Sequence, residues 1–271
     1  MTTYNIGDTN IYYEINGNKE SKTAVAFFNG VMASTSSWDY MWPTFENDNF
    51  MIVRQDFRGQ LKSDKPEGPY SFEMHANDAK ALFDYLGLEK VHIIGTSYGG
   101  EVAMKFAMLY PDMTKSISII DSVSELDEVL KGFIDNWMVL ADLNDGEKFF
   151  LGMAPSIYGN SFYSSNKEML TSRAKAFASM DKSYFEGQKI LYQTFKEDVY
   201  MTDGLKNIKC PALVICGQDD LLKRVKFSEL IAKEIPNSEF IIIPDCGHVP
   251  IFEKYNELNS MIYGFILKHN R

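Results

Sequence analysis

Cysteine and histidine are scarce in this chain, basic charge is outnumbered, and no long apolar run occurs. Cys210, Cys216 and Cys246 are the 3 cysteines among 271 residues, an odd number without C-x-x-C spacing. That excludes a disulfide framework and predicts buried free thiols in a reducing compartment, the cytoplasm. Cys246 stands two residues before His248, but no further ligands complete a metal pattern around them. Lys and Arg number 27 against 37 Asp and Glu, a formal charge of −10. Nucleic acids and anionic membranes demand basic patches, so neither is an expected partner. No segment approaches transmembrane length, and no basic stretch leads into an apolar one at the N-terminus, so no membrane span or export signal is expected.

What is plentiful is apolar surface to bury. Hydrophobic residues make up 45% of the chain and aromatics 14%, enough for a sizeable core. The pattern predicts strands at residues 11–15, 24–28, 51–54, 91–94 and 117–120, with a helix over 72–86 and another from Glu101 to Tyr110. Strands at 212–216 and 240–243, a helix over 226–235 and a C-terminal helix from Tyr255 continue the alternation. Such a rhythm implies an α/β fold, a mostly parallel sheet with helices on both faces. Residues 122–205 break it. They carry helix-like stretches rich in Trp137, Phe150, Phe177, Tyr192 and other aromatics, but no convincing strand. The expected organisation is a core domain of residues 1–121 and 206–271 with an inserted helical cap of residues 122–205. Most cap aromatics are expected to pack among themselves, with a minority facing a pocket.

One stretch points to chemistry. Val91 to Gly100 reads as a buried strand that breaks on Gly95-Thr96-Ser97-Tyr98-Gly99 and enters a helix. The bare G-x-S-x-G pattern turns up by chance in roughly one chain in ten of this length. Between a strand and a helix, however, it describes a nucleophile elbow, where small neighbours permit strained serine dihedrals. No lysine follows the glycines, as a phosphate-binding loop would need.

A serine nucleophile requires a base and a group to orient that base. Of the 4 histidines, His92 lies inside a strand and is expected to be packed or hydrogen-bonded. His75 opens a helix and His269 is near the C-terminus, so both are expected to be solvated. His248 follows the last strand, at the carboxyl edge of the sheet where open α/β folds bind their ligands. It is the predicted base. Asp219 and Asp220 follow the preceding strand and Asp121 ends an earlier one, so all three are candidates for the orienting acid. The Tyr98 N–H and the N–H of Val31, in the Asn29-Gly30-Val31 turn, are the predicted oxyanion donors. Losing one such donor typically costs about 3–4 kcal/mol.

These motifs, taken in order, make the chain similar to the α/β-hydrolase superfamily, in particular small bacterial esterases, cofactor-free haloperoxidases and 3-oxoadipate enol-lactonases. Asp56-Phe57-Arg58-Gly59-Gln60-Leu61-Lys62-Ser63 resembles the family's D-x-R-G-x-G-x-S loop, Gly217 to Asp220 its G-x-x-D, and Gly247-His248 with Glu253 its G-H-x-x-x-x-E. The second match favours Asp220 over Asp219. Asn29 and Gln60-Leu61 depart from the usual His-Gly pairs and are expected at the pocket entrance, while Tyr255 replaces a common proline. Arg58 is expected to tie loops together, the alternative being contact with an anionic substrate.

The resemblance implies a serine hydrolase of small carboxylic esters or lactones. Ser97, His248 and Asp220 would be its catalytic residues, and no metal or organic cofactor is implied. C–C bond hydrolysis, amide hydrolysis or perhydrolysis on the same residues is the alternative, and a non-catalytic ligand-binding protein is a further one. The expected partner is a small, partly apolar substrate, and the sequence leaves room for a homo-oligomer.

Overall fold

The computed structural model describes residues 2–270. Eight strands form one sheet: β1 (Thr3–Asn5), β2 (Asn10–Gly17), β3 (Thr23–Phe28), β4 (Met51–Gln55), β5 (Lys90–Thr96), β6 (Thr114–Ile120), β7 (Ala212–Gly217) and β8 (Ser238–Ile243). Their order is β1-β2-β4-β3-β5-β6-β7-β8; β2 pairs antiparallel with both β1 and β4, and the pairings from β4 to β8 are all parallel. Alternating side chains of β3 show why the sheet needs cover on both sides. Ala24, Ala26 and Phe28 join one apolar cluster, while Val25 and Phe27 join a second on the opposite face.

Helices supply that cover. On the first face lie α1 (Phe72–Tyr85) and α2 (Tyr98–Leu109), and the chain then leaves β6 for α3 (Glu128–Asp142), α4 (Gly146–Ile157), α5 (Asn160–Ser165), α6 (Lys167–Phe177) and α7 (Lys182–Asp198). After β7 comes α8 (Val225–Glu234), and after β8 the short α9 (Pro250–Glu253) and then α10 (Tyr255–His269). Ile262 and Ile266 of α10 pack with Trp38 and Phe45 on the second face. Aspartates start three of the helices between β6 and β7. Asp127, Asp145 and Asp181 accept the N–H groups of Leu130, Lys148 and Tyr184 at 2.9, 3.1 and 3.1 Å. Each such cap is worth about 1 kcal/mol.

The expected strands and helices appear within a few residues of their anticipated bounds. Among the strands and α-helices outside residues 122–205, two were not anticipated. β1 is a three-residue edge strand without apolar alternation, and α9 is a four-residue turn beginning at Pro250. No strand occurs among residues 122–205. No helix of the described residues is long and apolar enough to cross a membrane.

Candidate active site

β5 turns into α2 through Ser97, whose backbone adopts φ 53° and ψ −120°. Non-glycine residues rarely take such a φ, and holding one there costs about 1–3 kcal/mol. Neighbouring strands hold the turn. The Ser97 N–H donates to the Ile120 carbonyl at 2.8 Å, and the Ser122 hydroxyl donates to the Ser97 carbonyl at 2.9 Å. Glycine is needed on both sides because the backbone is so close. A Cβ on Gly95 would overlap the Gly99 carbonyl, and one on Gly99 would overlap that of Phe28.

His248 sits in the loop after β8, with Nε2 3.0 Å from Ser97 Oγ and Nδ1 2.7 Å from Asp220 Oδ2. Asp220 is buried behind β7, and its Oδ1 accepts the N–H groups of Leu222 and Lys223, each at 2.8 Å. Burial works against its charge, yet the facing His248 and these hydrogen bonds hold the carboxyl below its ordinary range. Asp219 is exposed. Asp121 is buried, but its Oδ1 accepts the Gly217 N–H at 2.8 Å rather than meeting the ring. Of the three aspartates, Asp220 is the one hydrogen-bonded to His248. Polar atoms of Asp121, Asp220 and His248 lie within 4.8 Å of one another. A cation there would have to break the Nδ1–Oδ2 hydrogen bond.

Contacts on either side fix the histidine loop. Glu253 Oε2 accepts the N–H groups of Gly247 at 2.9 Å and Gly159 at 3.1 Å, and the His248 N–H donates to the Ile157 carbonyl at 2.7 Å. The end of α4 is thereby attached to the loop carrying His248.

Tyr98 is the first residue of α2, where helix geometry leaves the N–H without an intrahelical partner. The Asn29–Val31 turn lies against it, so close that a Cβ on Gly30 would stand 3.4 Å from Ser97 Cβ. Buried side chains pin this turn. Gln60 Nε2 donates to the Gly30 carbonyl at 2.8 Å, and Gln188 Nε2 donates to that of Val31 at 2.9 Å. Asn29 donates to the Gln55 carbonyl at 2.8 Å and accepts the Trp38 indole N–H at 2.7 Å. Asn29 and Gln60 are fully buried and do not border the entrance as expected. Their amides satisfy groups that the tight turn cuts off from water. Leu61 does line the cavity.

That cavity, of about 550 Å³, opens over Ser97 and His248. Its walls include Met32, Leu61, Ile251 and Phe252, together with Trp137, Phe150, Ile157 and Phe177 from the helices between β6 and β7. Phe149, Phe185 and Tyr192 of the same helices are fully buried instead. Behind Ser97, Lys223 Nζ donates to both oxygens of Glu101 at 2.9 Å, and both side chains are almost wholly buried. Burial raises Glu101 and lowers Lys223, each against the pull of its partner. The sequence reading did not identify this pair, because nothing local announces a contact between residues so far apart.

A family model described as the alpha/beta hydrolase fold matches residues 23–255. The chain belongs to that family. RutD of Caulobacter sp. (strain K31), proposed to be a carbamate hydrolase, is 26% identical to this hydrolase over 264 residues, covering 94% of this chain and 95% of its own. A poly(3-hydroxyalkanoate) depolymerase of Ectopseudomonas oleovorans is 25% identical over 268 residues, covering 97% and 91%. Among solved structures, the alpha/beta hydrolase enzyme MGS-M2 from a Medee basin deep-sea metagenome library superposes with a TM-score of 0.91. It shares 27% identity and covers 98% of this chain and 97% of its own.

The remaining candidates of this hydrolase sort by burial. Arg58 ties loops, as expected, with Nε 2.6 Å from Asp78 and Nη1 3.2 Å from Asp8. All three cysteines are buried and unpaired. His92 is buried, with Nδ1 2.7 Å from Ser116 Oγ. His269 is half-buried near Glu239. His75 is not solvated. It is fully buried, its Nε2 2.9 Å from the Tyr98 hydroxyl, because it falls on the face of α1 that packs against α2.

Burial, aided by the Arg58 charge, pushes His75 down to about 3 from an ordinary value of 6.5. The unfolded chain therefore takes up a proton near pH 6.5 that the folded chain refuses. The stabilising contribution is complete above pH 6.5 and is lost as pH falls toward 3. Measured by urea unfolding, the stability advantage of wild type over His75→Gln should shrink by about 1.4 kcal/mol per pH unit between pH 6 and 4.

Proposed function

We propose that this hydrolase cleaves a small carboxylic ester or lactone through an acyl-enzyme on Ser97. The observation that carries the reading is the continuous hydrogen-bonded line from Ser97 Oγ through His248 to Asp220 at the floor of a largely apolar cavity. His248 Nε2 takes the Ser97 proton as Oγ attacks the carbonyl carbon. Asp220 holds the ring in the tautomer with its proton on Nδ1 and stabilises the imidazolium that forms. The Tyr98 and Val31 N–H groups face the tetrahedral oxyanion. Collapse then expels the alkoxide, which takes the proton from His248, and water releases the acid by the same steps in reverse.

Kinship to a depolymerase of poly(3-hydroxyalkanoate), whose units are joined by ester bonds, supports ester chemistry. Residues 122–205 act as a cap over the core of residues 1–121 and 206–271, since their helices furnish one wall of the cavity. The partner is a small and partly apolar substrate, and three reduced thiols suit the cytoplasm. The test is intact-mass analysis after treatment with a fluorophosphonate. One adduct on wild type and none on Ser97→Ala is expected. A folded wild type that takes no adduct would overturn the reading.

A further inference from the structure

The cavity wall is largely apolar, and its charged side chains are Asp39 and Arg173. Asp39 is already taken by Arg54 at 2.7 Å. Arg173, on α6, differs from the other described arginines. Arg54, Arg58 and Arg224 each pair with carboxylates, whereas no carboxylate of the described residues pairs with Arg173.

The guanidinium is nonetheless held in place. Its carbon stands 4.4 Å from the centroid of the Phe252 ring, and Nη1 donates to the Tyr158 hydroxyl at 3.0 Å. Both partners line the cavity and both border the His248 loop. Phe252 lies in α9 just beyond His248, and Tyr158 follows Ile157, whose carbonyl accepts the His248 N–H. A guanidinium has five donors, so most remain free after the Tyr158 bond. Stacking fixes the plane of the fork, which lowers the entropic cost of binding a planar anion.

We propose that Arg173 anchors a carboxylate carried by the substrate at a distance from its scissile bond. The favoured substrate class is thus anionic esters or lactones with an apolar spacer. This rests on the proposed reaction at Ser97 and adds the identity of the substrate's far end. A carboxylate fits better than a phosphate. It is planar like the fork, and its single charge matches that of Arg173.

The experiment compares monoethyl esters of C5 to C9 dicarboxylic acids with ethyl esters of monocarboxylic acids of equal length. For wild type, kcat/KM should favour the monoesters and peak at one chain length, where carboxylate and carbonyl reach Arg173 and Ser97 together. Arg173→Met should lower the ratio of anionic to neutral kcat/KM by about tenfold to a hundredfold, mainly through KM. Arg173→Lys should restore part of it. A merely structural role would depress both substrate classes alike and leave the ratio unchanged, which overturns the proposal. So does a wild type that shows no preference. Calorimetric titration of Ser97→Ala with the monoesters reads the anchor without turnover, and binding should weaken when Arg173→Met is added. If no ester is hydrolysed, the proposed reaction fails while this titration still decides the role of Arg173.

Discussion

Ser97→Ala should lower kcat on the best ester by about a million-fold, which corresponds to about 8 kcal/mol of lost transition-state stabilisation. The size follows from what is removed. In the proposed route, loss of Oγ would leave His248 Nε2 no proton to take and no covalent intermediate, so the contribution of Asp220 would be lost with it. What would survive is substrate binding and the two proposed oxyanion donors, the Val31 and Tyr98 N–H groups, and such remnants accelerate hydrolysis by about a thousandfold to ten-thousandfold over water. Alanine still occupies the positive φ at this turn, and the Ser97 backbone bonds to Ile120 and Ser122 do not involve the side chain. Thermal unfolding should therefore change little. Steady-state kinetics on purified variant, with the melting curve alongside, separates loss of chemistry from loss of fold. A residual kcat within a hundredfold of wild type would sink the acyl-enzyme route.

Most of this architecture was legible because the chain is strongly punctuated. Each parallel strand is a short apolar run, and Ser97, Asp121, Asp220 and His248 all follow such runs, so topology alone carries them to one edge of the sheet. Its place between a strand and a helix then distinguished the elbow from an ordinary glycine turn. Spacing did not separate Asp121 from Asp220, because both follow strands and retain the same chain order. That distinction needed side-chain direction. His75 was misread as solvated although a signal was present. It lies three residues after Phe72 and four before Ala79, on the stripe that includes Leu82 and Phe83 and is wholly buried. A polar residue type outweighed the helical period. Asn29 and Gln60 were assigned to the pocket entrance for a similar reason. Residue type does not say whether an amide faces water or closes a backbone turn.

The two buried carboxylates beside His248 should respond very unequally to the same substitution. Asp121 is fully buried, and burial together with the neighbouring Asp220 charge holds its carboxyl well above the ordinary range. Two carboxylates this close cannot both ionise cheaply, so the proton favours Asp121 and the charge favours Asp220. Asp121→Asn is nearly isosteric with a neutral carboxyl. The asparagine oxygen can still accept the Gly217 N–H, and its amide carries no charge to repel Asp220. Asp220→Asn is a different case. Its amide would face His248 Nδ1 and favour the tautomer with the proton on Nε2, leaving no lone pair for the Ser97 proton. At pH 8 we expect Asp121→Asn to stay within about threefold of wild-type kcat/KM, and Asp220→Asn to lose about ten-thousandfold. The reverse ranking would make Asp121 the orienting acid and require the His248 ring to turn away from Asp220 during turnover.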